Sequence, residues 1–242
     1  MSLPRADSAD ICLLLEGTFP YVSGGVSSWV NQIIRGFPEY TFACCFVGSR
    51  PEDYGEMKYE LPDNVVHLEV HYLHNFQRGA QKRSLKGNRK AYADVRRFHE
   101  MVKEGVHSHE RSQLFSRIVT HLGEGEDYSE ESFLHSRASW DYIAQAYRDF
   151  SRDPSFVDYF WTIRIMHSPI WVLNDIADNL IPAKMYHTIS TGYAGFLGAM
   201  LKRRNNKPLL LSEHGIYTKE RKIDLFQSEW ISDNRGLVEK NN

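Results

Sequence analysis

Five short apolar-rich runs, most of them continuous, constrain this chain more than any other feature. They are Ile11 to Leu15, Tyr40 to Val47, Val65 to Tyr72, Lys184 to Ile189 and Pro208 to Ser212. A strand with one wet face alternates apolar and polar residues, whereas a continuous run suits a strand covered on both faces. The stretches between the runs can supply that cover. In "GVSSWVNQIIRGF", Val26, Val30, Ile33, Ile34 and Phe37 fall near one face at helical spacing. "GYAGFLGAMLKRRNN" ends in Lys202, Arg203 and Arg204, cations that favour the negative end of a helix dipole. Strand and helix in alternation predict an α/β fold with a parallel sheet.

Size and charge narrow the function. At 242 residues the chain can bury one substantial core or two small ones. A formal net charge of -2 gives no overall attraction to nucleic acid or to an anionic membrane, so any anion must be held by local geometry. No apolar stretch approaches the roughly 20 residues that span a bilayer, and the polar start "MSLPRADSAD" does not read as a secretory signal. A cytoplasmic location is the expectation. Cys12, Cys44 and Cys45 lie in strand-like runs without metal-ligand spacing, and they read as reduced core residues.

Between Tyr72 and Pro182 the pattern turns helical. Helices are expected over Ala91 to Val102, Glu110 to His121, Ser129 to Phe150 and Pro154 to Asp178. Ser129 before Glu130 and Glu131 reads as a helix start, Pro154 as a first helical residue, and Pro169 as a kink or break. The block is too long for a simple crossover, so residues 74–181 are expected to form an insertion packed on or beside the sheet. Its aromatics, among them Trp140, Tyr142, Trp161 and Trp171, are expected mainly in its core.

Three loops should meet at the carboxyl edge of such a sheet, where open α/β folds bind their ligands. In the first, Glu16 to Gly25, Gly24 and Gly25 bare the start of a helix, so that unpaired N–H groups can approach a phosphate or diphosphate. The loop lacks the G-x-G-x-x-G spacing of dinucleotide-binding folds, and "FVGSR" offers no acid to grip a ribose. The second loop carries Ser190, Thr191 and Gly192, with His187 in or beside the strand before it. The third, "SEHGIYTKERK", brings Glu213, His214, Tyr217, Thr218, Arg221 and Lys222. Ordinary readings compete: a tight turn, a surface histidine, a solvated helical turn.

"GTFPYVSGGVSSWV", "YHTISTGYAGFLGAML" and "SEHGIYTKERKIDL" resemble the N-terminal half of family 4 retaining glycosyltransferases, most closely the cytoplasmic transferases of Pel exopolysaccharide synthesis in bacteria. The resemblance implies a GT-B architecture, in which two Rossmann-like domains hold a nucleotide sugar between them. It implies that residues 1–242 form the N-terminal domain, which receives the acceptor, and that the C-terminal nucleotide-binding domain is its missing partner. On that basis Ser23, Gly24 and Gly25 would contact the donor diphosphate, with a UDP-hexose the expected donor. His214, Glu213, His187 and Ser190 would serve the reaction. Tyr21, Thr191, Gly192, Tyr217, Thr218, Arg221 and Lys222 would line the acceptor side. No cofactor, metal or nucleic acid is expected; membrane-associated polysaccharide synthase components are possible partners, with a docking module of such a complex as the alternative function. The chain departs from the family where many relatives carry His-x-His: aligned on Ala194 and Gly195, those positions are Thr188 and Ser190.

Overall fold

The computed structural model describes residues 3–74, 85–151 and 155–214. Among them five strands form one all-parallel sheet: β1 (Ala9–Glu16), β2 (Phe42–Gly48), β3 (Val65–Tyr72), β4 (Ala183–Thr188) and β5 (Leu209–Leu211). Their order is β3-β2-β1-β4-β5, a Rossmann-like arrangement. All five apolar runs thus become strands. β1 lies at the centre, with Leu14 in register with Cys45 on one side and Thr188 on the other.

Both faces of the central strands are covered, as their unbroken runs require, whereas edge strand β5 leaves Leu210 and Leu211 exposed. Leu13, Leu15, Cys44 and Phe46 pack on α1 (Gly25–Gly36) through Val30 and Ile34. Cys12, Leu14, Cys45 and Val47 face the opposite way, onto Leu173, Ile176, Leu197 and Met200. These come from α6 (Phe156–Asn179) and α7 (Tyr193–Asn205). Adjacent Cys44 and Cys45 therefore point into different layers. All three thiols are free and buried, and burial pushes Cys44 up to about 12, so they remain protonated core groups. Phe37, expected on the buried face of α1, follows the end of the helix and is 48% exposed.

The insertion between β3 and β4 is helical, with α2 (Arg89–Lys103), α3 (His109–Thr120), α4 (Glu130–His135) and α5 (Arg137–Phe150) preceding α6. One expectation needs correction, and the alternatives at Pro169 are narrowed. Ser129 does cap a helix, accepting the Ser132 N–H, but the single helix expected over Ser129 to Phe150 is two. Leu85 intervenes: its N–H bonds the His135 carbonyl and its carbonyl takes the Arg137 N–H, holding Ser136 extended between them. Pro169 does not break α6. Its ring leaves the Ile165 carbonyl without a backbone donor, and the Ser168 hydroxyl bonds that oxygen instead at 3.0 Å. Pro154 lies outside the described residues, and Ser155 caps the helix through the Asp158 N–H.

Arg204, near the end of α7, fastens the insertion to the sheet layer. It pairs with Asp178 at 2.6 Å and donates to the carbonyls of Val119 and Leu122 at 3.1 and 2.9 Å. Tyr142, Tyr159, Phe160 and Trp171 pack in the insertion's own cluster, as expected. Trp140 and Trp161 are largely exposed. No described helix is long and apolar enough to cross a membrane.

Two outcomes test this construction. Leu14 is fully buried in the central strand, so Leu14→Ala should cost about 2–5 kcal/mol in denaturant unfolding. At the other end of β1, Lys184 hydrogen-bonds Asp10, and Thr41 adds its N–H and hydroxyl, which together hold the Asp10 carboxyl down to about 2. A depressed carboxyl stabilises the fold above its unfolded value, and that contribution vanishes as pH falls through the folded value. The urea midpoint should therefore drop between about pH 4 and pH 2, and Asp10→Asn should flatten part of that drop.

Candidate functional site

Strand order reverses between β1 and β4, which opens a crevice at their carboxyl ends. Two crossover helices begin there, and the chain treats them differently. At α7 the protein supplies its own anion. Glu16, the last residue of β1, accepts the Ala194 N–H at 3.1 Å and the Ser190 hydroxyl at 3.0 Å. Ser190 in turn accepts the Gly192 N–H at 2.9 Å. A Cβ at 192 would stand 2.6 Å from the Glu16 carboxylate, so any larger residue would shift that carboxylate from this position. The amides at the start of α7 are thereby engaged within the chain.

At α1 nothing of the kind happens. No side chain caps the helix, and its first turn holds no acidic residue. Cβ atoms built on Gly24 and Gly25 would meet nothing within 4 Å. Neither glycine has a φ in the left-handed region that would demand it. Packing does not explain them; what they leave is an open approach to a helix end that favours anions. Ser23 is exposed beside them. The Gly24 N–H donates to the Tyr59 hydroxyl at 3.5 Å, and that hydroxyl also lies 3.1 Å from Ser28 Oγ. In the same loop the Thr18 hydroxyl is buried without a hydrogen-bond partner, an uncommon condition for a polar atom.

The third loop comes to α1 through Trp29, one helical turn beyond Gly25. Its indole meets the His214 ring edge-on at 4.4 Å and the His187 ring at 5.9 Å. His214 is exposed at the rim. His187 is 6% exposed, and its Nε2 lies 2.9 Å from Ser212 Oγ. Burial, reinforced by nearby His214, pushes the His187 imidazole below its ordinary range, so it is neutral at neutral pH. Thr191 donates to Glu213 at 3.2 Å, joining the second loop to the third.

The expected residues thus divide. His187, Ser190, Thr191, Gly192, Glu213 and His214 are gathered along β1, β4 and β5, and Ser23, Gly24 and Gly25 stand at the start of the helix that carries Trp29. Tyr21 turns toward β2, its ring 4.8 Å from Phe46. Tyr217, Thr218, Arg221 and Lys222 lie outside the described residues. Glu16, Trp29, Tyr59 and Ser212 are parts of the edge that sequence reasoning missed. Only Glu16 left a signal: an acid ending a buried strand, just before Gly17, whose φ is +58°.

A protein-family model described as a domain of unknown function, DUF3492, matches residues 9–240. The chain belongs to the DUF3492 family. No curated protein and no solved structure matches it. The DUF3492 match takes in the whole described sheet, both crossover helices and all three loops of the edge.

The Glu16 contacts can be tested directly in this DUF3492 protein. Glu16→Ala removes the acceptor for the Ala194 N–H and the Ser190 hydroxyl, which should cost about 1–2 kcal/mol in a denaturant melt. Glu16→Gln retains an acceptor oxygen and should lose less.

Proposed function

We propose that this chain is the acceptor-side domain of a retaining, nucleotide-sugar-dependent glycosyltransferase, with a UDP-hexose as donor, acting in bacterial exopolysaccharide synthesis of the Pel type. The observation that carries the reading is the contrast between the two helix ends at the crevice. At one, Glu16 takes the Ala194 N–H; at the other no carboxylate does so, and the Gly24 N–H meets only the Tyr59 hydroxyl at 3.5 Å. A diphosphate would be received at the α1 end, by backbone amides and the helix dipole, with Ser23 beside it. The resemblance of the three loop sequences to family 4 transferases supports the same assignment.

In this reading the reaction depends on charge and orientation more than on a protein base. The leaving diphosphate would take the acceptor proton on the face it vacates, while amides at α1 stabilise its developing charge. His214 and Glu213 stand on the rim where an acceptor hydroxyl would arrive. His187, neutral and buried, would act as a positioning residue through Trp29 and Ser212. The nucleotide base and hexose would be read largely by the C-terminal domain of a GT-B pair. A cytoplasmic site of action, peripheral to an inner-membrane synthase, fits a nucleotide-sugar donor.

One observation favours the alternative, a docking module of a polysaccharide synthase complex. Val157, Trp161 and Ile165 form an exposed apolar stripe along α6, with Trp161 55% exposed.

Isothermal titration of the full-length protein with uridine diphosphate tests the enzyme reading. Replacing Gly24 and Gly25 by valine should weaken binding at least about tenfold, the loss of one or two charge-assisted amide contacts. Unchanged affinity would remove the glycine loop from the donor site.

A further inference from the structure

At the other end of α7 the helices form a second concave surface. Phe98, Val102, His107, Ser108, His109, Arg111, Ser112, Phe115 and Arg203 bound an open groove of about 610 Å³ between α2, α3 and α7. That volume falls within the range of small-molecule sites. Its floor is apolar, with the Phe98 and Phe115 rings stacked at 5.8 Å and 30°. Its walls are cationic, and no carboxylate lines it.

The arginines decide what it could hold. Elsewhere in the insertion and α7, Arg89, Arg96, Arg97, Arg117, Arg137 and Arg204 are each paired with a carboxylate. Among the described residues no carboxylate pairs with Arg111 or Arg203, and of the others in these helices only Arg148 and Arg164 share that condition, bonding Gln145 and the Leu134 carbonyl away from the groove. Arg111 bonds the His107 ring instead, at Nδ1. Arg203 donates to Ser112 Oγ at 2.6 Å, which draws its guanidinium to the residue next to Arg111. His109 Nε2 is 2.9 Å from the Gln113 side-chain nitrogen. The nearest acid along α3, Glu110, is taken by Arg97 at 3.5 Å.

We infer that this groove is a binding site for a small organic phosphate, its phosphate between Arg111 and Arg203 and its apolar portion on Phe98, Val102 and Phe115. Guanidinium forks match phosphate oxygens in shape and charge. A phosphate monoester is close to a dianion at neutral pH and neutralises both fixed cations, whereas a carboxylate would leave one uncompensated. Arg203 lies about 15 Å of helix rise, ten residues, from the start of α7 at the crevice. The groove's ligand is therefore distinct from a diphosphate at Gly24, and the two readings succeed or fail separately.

Titration of the full-length protein with phenyl phosphate, followed by calorimetry and by the ring resonances of Phe98 and Phe115, tests the site. Saturable binding that shifts both rings is expected. The double variant Arg111→Gln, Arg203→Gln should weaken it at least about tenfold, as expected for lost charge-assisted bonds, while Arg117→Gln leaves it unchanged. The ring shifts in the unaltered protein do not depend on how the variants fold. Arginine-dependent flotation with phosphatidic-acid vesicles would identify a lipid headgroup as the source of the phosphate; phenyl phosphate binding without flotation would identify a free metabolite. No saturable binding of either probe, or equal binding by the double variant, overturns the assignment.

Discussion

The Glu16 carboxylate stands where β1 ends and reaches across the point of strand-order reversal to the first turn of α7. A buried strand that ends in an acid must find that acid donors, and here the donors are the Ala194 N–H and the Ser190 hydroxyl. The contact fixes the second loop against the central strand and lies against the bare backbone of Gly192. It also places a carboxylate on the first turn of α7, where α1 has none. The asymmetry between α7 and α1, on which the functional reading rests, follows from that single side chain.

Trp29 carries the organisation across to the third loop. Its ring packs against both His187 and His214, so the orientation of α1 and the position of the β5 rim are not independent. Edge-on aromatic contacts of this kind add a modest preference in angle beyond the area they bury. The hydrogen bonds His187 to Ser212 and Thr191 to Glu213 complete a continuous edge from α1 to the end of β5.

The helical insertion has a small core of its own and is bound to the sheet layer through α6, α7 and Arg204. Because α7 serves the crevice at one end and the cationic groove at the other, one helix carries both candidate sites. Two arginines without a carboxylate partner among the described residues meet at one groove, whereas most of the arginines around them are neutralised by ion pairs.

The apolar runs alone determined the fold class. Period and continuity of apolar residues are properties of consecutive positions, so five strands and the amphipathic cover of α1 were legible without coordinates, although the exposure of Leu210 and Leu211 on β5 was not. The helix start at Ser129 was legible for the same reason. The interruption at Ser136 was not, because it depends on Leu85, a residue far away in the chain that pairs with both sides of it. α6 continues through Pro169 with the Ser168 hydroxyl on the Ile165 carbonyl, a detail that helix propensity does not contain. For the site, residue types and loop positions were readable: glycines before α1, hydroxyls after β4, His214 after β5. Which helix end is already occupied, and which ring joins the loops, was decided only by tertiary structure. Glu16 and Ala194 are separated by most of the chain, and only the parallel crossover, placing β4 beside β1, brings that carboxylate within reach of that amide.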